Sequence, residues 1–153
     1  MPLDEVMRDT TALGGIALYG FVALFFLLLG SAEVFVQLAI GIVLLYAVIS
    51  PLRLLFFRIR PDHSAYAGLF TKIDAGSFPS MHSARSTLLA IVLAQFFSEP
   101  IVTALLTLAV VAVLSTRVML KRHYVTDILG GVVVGVLVGW LTIVLTPIVL
   151  GAF

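Results

Sequence analysis

Apolar residues fill this chain in five long runs, and its polar residues are confined to the gaps between them. The runs extend from about Leu13 to Gly30, Val34 to Phe57, Ser83 to Phe97, Ile101 to Leu114, and Ile128 to Pro147 or on to Phe153. The first is roughly the length that a bilayer core requires. Two gaps are tight turns, Ser31 to Glu33 and Ser98 to Pro100, and a third, Asp62 to Pro79, is the one long polar connection. Loops of that length in a compact domain are more often functional than idle. The fourth gap is Ser115 to Asp127, STRVMLKRHYVTD. This pattern predicts an all-α fold, a polytopic transmembrane helical bundle of about five spans. Pro51, near the end of the second run, predicts a kink as the helix nears the polar boundary. Ahead of the first run, Pro2, Asp4 and Glu5 suit a helix start, and Leu3, Val6 and Met7 share one side. Residues 1–12 therefore read as a short interfacial helix, with a frayed terminus as the bland alternative. Gly131, Gly135 and Gly139 repeat every four residues and form a flat strip for close helix approach within the fold. A homodimer face is the sharper version of the same feature.

Composition agrees. Of 153 residues, 61% are hydrophobic and 11% charged, more apolar surface than a soluble domain can hide, so the chain reads as one integral membrane domain over 1–153. There is no cysteine, which removes disulfides, thiolate chemistry and cysteine metal sites. The acidic start and the length of the first run argue against a cleavable signal peptide. With five spans, the amino terminus, the 58–82 loop and the 115–127 segment share one membrane face. All nine lysines and arginines lie on it, whereas the opposite face carries only Glu33 and Glu99. The expected protein is multi-pass, in the cell membrane, with its polar site gathered at one surface. The charge rule would place that surface in the cytoplasm, but several of these cations are candidates for chemistry and do not count as topological signals. The side is left open.

Three polar blocks carry the candidate chemistry. In the 115–127 segment, His123 and Asp127 are four apart, which on a helix lets the carboxylate hold one ring nitrogen and frees the other as a nucleophile. Arg117 precedes His123 by six, far enough for a turn to bring its fork back. In Phe78 to Arg85, FPSMHSAR, Ser80 suits a helix cap, the amides of Met81 and His82 would favour an anion, and His82 lies on the first turn. Arg53 and Arg60 are seven apart, two turns along one face if the helix continues, and Pro61 then closes it. Three arginines around one volume are costly unless a polyanion enters, and their forks match phosphate oxygens. Arg85 could add a contact or pair with Asp62 or Asp74. His63 reads as a solvated loop residue, Lys121 and Arg122 as contacts to lipid phosphates, and Tyr124 and Trp140 as membrane anchors.

Arg53 with Arg60-Pro61, Pro79-Ser80-Met81-His82, and Ser115-Thr116-Arg117 with His123 and Asp127 together resemble the three-part signature of the type 2 phosphatidic acid phosphatase superfamily. The resemblance covers residues 53–127, about half the chain. It implies a lipid phosphatase in which His123 forms a phosphohistidine, Asp127 orients it, and His82 protonates the leaving oxygen. Arg53, Arg60, Arg117, Ser80 and the neighbouring amides, including that of Met81, would hold the phosphate. It implies no metal and no cofactor, a lipid phosphate and membrane lipids as partners, and no nucleic acid. The chain departs from the family pattern at Arg53 for the usual lysine, Met81 for the usual glycine, Thr116 inserted before Arg117, and five spans for the common six. Met81 is the sign of a second reading, an anion-binding membrane protein without turnover. A third, oxidative chemistry like that of the related vanadate-dependent haloperoxidases, sits badly with the spans because those enzymes are soluble.

Overall fold

The computed structural model of this chain describes residues 3–61 and 68–151, without the side chains of Leu3, Asp4, Leu69 and Phe70. Asp62 and His63 fall outside the described residues. The elements are α1 (Leu3–Ala12), α2 (Ile16–Leu28), α3 (Ala32–Leu55), α4 (Leu69–Ala75), α5 (Met81–Phe97), α6 (Pro100–Met119) and α7 (Val125–Leu150). Among the described residues there are no strands, only an isolated antiparallel bridge between Ile59 and Gly76.

The five apolar runs therefore become helices near their predicted places, with informative shifts. α6 continues to Met119 rather than stopping near Leu114. Its polar residues are satisfied within the helix, since Ser115 Oγ donates to Val111 O at 2.9 Å and Thr116 Oγ1 to Val113 O at 2.7 Å. α3 runs through Pro51 to Leu55 but does not reach Arg60. The chain beyond it turns extended and pairs with the segment before Phe78, where Ser77 N donates to Arg58 O at 2.8 Å. Arg53 and Arg60 thus do not share a helical face, because tertiary pairing overrides continuation of the helix. The long polar connection holds a seven-residue helix, α4.

By length and composition the described helices account for three spans, or up to four, and do not confirm the five that hydropathy suggested. α3, α6 and α7 are long and apolar enough to cross a membrane, and α1 with α2, bent by 41°, makes a fourth if the pair is one span. α2 alone has 13 residues, about 20 Å of rise against a hydrocarbon core of about 30 Å. Side chains such as Leu28, Val43, Leu108 and Leu137 face outward from the helices, as expected of a multi-pass membrane protein whose solvent is lipid.

α5 occupies the centre, with nine of its residues from Met81 to Val92 buried. Leu88 and Val92 pack with Leu38, Leu45 and Ile49 of α3 and Val138 of α7. Tyr19 of α2 closes this core, its hydroxyl donating to Leu38 O at 2.8 Å. The closest approach is between α5 and α7, along the glycine strip. A Cβ added at Gly131 would lie 2.4 Å from Ser80 O, and one at Gly135 2.6 Å from Ala84 O. The strip is filled from inside the fold by α5. Since Ser80 begins α5, this contact also sets the height of α5 against the start of α7.

A methyl group at Gly135 meets a backbone carbonyl that cannot swing aside, so Gly135→Ala should lower stability by about 1–3 kcal/mol despite the better helix propensity of alanine. Gly20 has nothing within 4 Å of its would-be Cβ, and Gly20→Ala should be neutral or slightly stabilising. Melting of both variants in detergent checks the pair, and equal behaviour would contradict the close α5–α7 contact.

Candidate active site

The ends of α3, α5, α6 and α7 that lie on one face of the bundle deliver the polar blocks to a common place. Arg53 is on the last turn of α3, Ser80 caps α5, Arg117 is on the last turn of α6, and Asp127 is on the first turn of α7. Between α6 and α7 the chain reverses over Leu120–Tyr124. Lys121 takes a positive φ of 53° there, and the amides of Arg122 and His123 both donate to Arg117 O, at 3.0 and 3.2 Å. That wrap places His123 beside the end of the helix carrying Arg117. His123 itself lies just before α7, not on it.

Asp127 is completely buried and accepts from three directions. Its Oδ2 takes the amide of Tyr124 at 2.8 Å and a short hydrogen bond from the Ser77 hydroxyl. Its Oδ1 takes Arg58 Nη1 at 3.2 Å. Arg58 also donates to Thr126 Oγ1 at 2.7 Å, and its guanidinium lies 3.8 Å above the Tyr124 ring. The Ser80 amide donates to Asp127 O at 2.9 Å, joining the second and third blocks through backbone.

The contact expected between Asp127 and His123 is indirect. Asp127 Oδ2 is 3.8 Å from His123 Nδ1, beyond hydrogen-bond reach. Ser77 stands between them, its Oγ 3.4 Å from Nδ1. A Ser77 hydroxyl that gives its proton to the carboxylate can only accept from the ring. This selects the Nδ1–H form of His123 and leaves the lone pair on Nε2. Burial is the largest influence on the ring, followed by the charges of Arg117, Arg60 and Arg53, with a hydrogen bond to the Ser77 backbone working the other way; together they push His123 down to about 2. The imidazole is neutral at physiological pH, the state a nucleophile needs. Unfolded histidine takes up a proton below about pH 6.5 and this one does not, so its contribution to stability falls as pH drops through that value, by about 1.4 kcal/mol per pH unit.

A cavity of about 590 Å³ opens beside this cluster, and its wall includes Arg53, Arg60, Met81, His82, Arg85 and Asp74. His123, 2% exposed, is not part of that wall. His82 is, and it lies in the field of Arg117, Arg85, Arg60 and Arg53. Three arginines therefore act on both histidines. Their forks also brace the scaffold. Arg53 Nε and Nη2 donate to Pro79 O at 3.2 and 3.1 Å, and Nη1 to Ile73 O at 3.1 Å. Arg60 makes a short bond to Asp74 O, and Arg117 Nη1 reaches Thr11 Oγ1 at 3.1 Å. The last contact brings α1, packed against α6, into the site. Ser80 is fully buried and absent from the wall, its Oγ accepting from Ser83 N at 3.4 Å. Met81 puts a side chain where the family pattern has none.

Of the expected residues, Arg53, Arg60, Met81 and His82 share the cavity wall, Arg117, His123 and Asp127 lie in the cluster behind it, and Ser80 serves as a cap and tether. Ser77, Arg58 and Thr11 were not anticipated. Ser77 lies three residues before Ser80, and no spacing marks its hydroxyl as aimed at Asp127.

The family model of the PAP2 superfamily matches residues 34–149, which include every one of these groups except Thr11. The chain belongs to the PAP2 superfamily. Its PAP2 fold is also seen in the crystal structure of Aquifex aeolicus LpxE, at 22% identity and a TM-score of 0.77 over 92% of this chain and 84% of that one. A transmembrane PAP2 type phosphatidylglycerolphosphate phosphatase from Bacillus subtilis is similar at 25% identity and a TM-score of 0.67, over 92% and 74% of the two chains.

Carbon-13 labelling of the histidine rings in detergent tests the tautomer directly. His123 should remain neutral and Nδ1-protonated from pH 8 to pH 5; a midpoint near 6.5 would contradict its burial among arginines. Ser77→Ala should abolish the tautomer preference and lower turnover about 10- to 100-fold, the effect of losing one hydrogen bond to a charged group.

Proposed function

We propose that this PAP2 protein is a metal-independent lipid phosphatase that removes the terminal phosphate of a phospholipid or isoprenoid-lipid (di)phosphate through a phosphohistidine. The observation that carries this reading is the shared field of Arg53, Arg60 and Arg117 over a neutral, oriented His123 and a second histidine in a cavity wall. The bent α1–α2 pair and the central α5 complete five crossings with α3, α6 and α7, and the protein resides in the cell membrane. The Bacillus subtilis relative is a phosphatidylglycerolphosphate phosphatase, which supports the reaction class.

The lipid phosphate enters sideways from the bilayer, and side chains of the wall give way to admit its terminal phosphorus to His123. Nε2 attacks, the bond from phosphorus to the bridging oxygen breaks, and His82, protonated once the anionic substrate offsets the arginine charges around it, supplies a proton to that oxygen. Water then attacks the phosphohistidine and frees inorganic phosphate and the ring. The arginines stabilise charge on the equatorial oxygens, and loss of one such preorganised donor costs about 3–4 kcal/mol of barrier in comparable sites. Asp127 steadies the imidazole through Ser77 and compensates the positive charge it gains during transfer.

Phosphate release from phosphatidic acid, phosphatidylglycerol phosphate and a polyprenyl diphosphate, in detergent with a chelator, tests the proposal. The protein should turn over at least one of them. His123→Ala should abolish release, and Arg117→Ala should lower kcat about 10²–10³-fold. Binding of phosphate analogues without release from any of the three would instead support the anion-binding reading, and a strict metal requirement would overturn the mechanism.

A further inference from the structure

Arg85 is 5% exposed and stands in the cavity wall one turn along α5 from His82. Arg53, Arg60 and Arg117 all donate to protein oxygens. Arg85 forms no hydrogen bond or ion pair with any described residue, and its Nε is buried without a partner. Asp74, Tyr46 and Tyr19 reach it only through their electrostatic fields, and the Tyr19 hydroxyl is already committed to Leu38 O. A buried cation left uncompensated is among the costliest features a fold can keep. One aimed into a cavity calls for an anion from outside.

The position of Arg85 narrows what that anion is. Arg85 shares the cavity wall with His82, one turn away on α5, whereas His123 is not part of that wall. Arg85 therefore belongs to the side of the leaving oxygen, not to the side of attack. The cavity has room for a volume of liquid equal to about twenty waters, far more than one phosphate fills. Building on the phosphatase reading above, we propose that Arg85 binds a second phosphate on the leaving-group side, so that the preferred substrate is a lipid carrying two phosphate groups.

In that reaction His123 Nε2 bonds to the terminal phosphorus as the bridging P–O bond breaks. The retained phosphate departs with the lipid, its new charge neutralised by Arg85 and by the proton from His82, and water releases the terminal phosphate from His123. A diphosphate places the second phosphate directly on the bridging oxygen. A phosphodiester head group places it one glycerol away.

The test measures kcat/KM for farnesyl diphosphate, phosphatidylglycerol phosphate and phosphatidic acid with the full chain in detergent, for wild type, Arg85→Gln and Arg85→Lys. The glutamine variant should lose at least tenfold more on farnesyl diphosphate than on phosphatidic acid, with partial recovery in the lysine variant. A parallel loss on phosphatidylglycerol phosphate assigns Arg85 to either phosphate spacing, and its absence assigns it to adjacent phosphates. Equal losses on all three substrates, or none on any, overturn the proposal. An independent arm needs no turnover. Inorganic pyrophosphate should raise the melting temperature of wild type more than orthophosphate does, and Arg85→Gln should erase that difference. If the difference is erased while no lipid is hydrolysed, the phosphatase reading fails and the two-phosphate site stands; if it persists in the variant, the site fails. Without ligand, Arg85→Gln should melt no lower than wild type, and a clear drop would mark Arg85 as structural.

Discussion

One buried carboxylate holds this site together. Asp127 accepts from Ser77, from the Tyr124 amide and from Arg58, while its own carbonyl takes the Ser80 amide. Those bonds join four parts of the chain: the start of α7, the start of α5, the segment before Phe78 and the extended stretch after α3. An ionised group with no exposure survives only when its oxygens are satisfied in this way. Its saturation is also what lets it act at a distance. The Ser77 hydroxyl, spent on the carboxylate, has only a lone pair to offer the imidazole, and the imidazole turns accordingly.

Around that anion the cations are arranged in two tiers. Arg53, Arg60 and Arg117 have oxygen partners in the scaffold, so their positions are fixed before any ligand arrives and little reorganisation is left for the reaction. Their charge, combined with burial, keeps both histidines within one positive field. The membrane contributes as well. Lipid-facing side chains lie on the outside and Arg53, Arg117, His123 and Asp127 are buried within, so the field is screened far less than it would be at a soluble surface. The glycine strip of α7 belongs to the same design, since close approach of α5 sets where Ser80 meets Asp127.

Much of this was legible in the sequence, because hydropathy and short-range spacing report on forces that act along the chain. The apolar runs announced the helices, and Arg53, His82, Arg117, His123 and Asp127 were identifiable from residue type and order. What sequence spacing could not supply were partners chosen by tertiary contact. Ser77 looks like any loop serine until the segment pairs with Arg58 and turns its hydroxyl inward. Arg60 left its expected helical face for the same reason. Ser115 and Thr116 suggested an early helix end, yet each satisfies its hydroxyl on the preceding turn and lets α6 carry Arg117 further. The direct bond expected from His123 to Asp127 assumed a helical spacing that does not exist, since His123 sits before the helix.

The nucleophile proposed at His123 is the centre of the proposed mechanism, and it can be caught chemically. Protein mixed with a lipid phosphate, quenched at alkaline pH where phosphohistidine survives, and digested for mass spectrometry should carry a single phosphoryl group on the peptide containing His123. Phosphate release with the group found on His82 or a serine, or with no covalent intermediate at all, would contradict the assignment of His123.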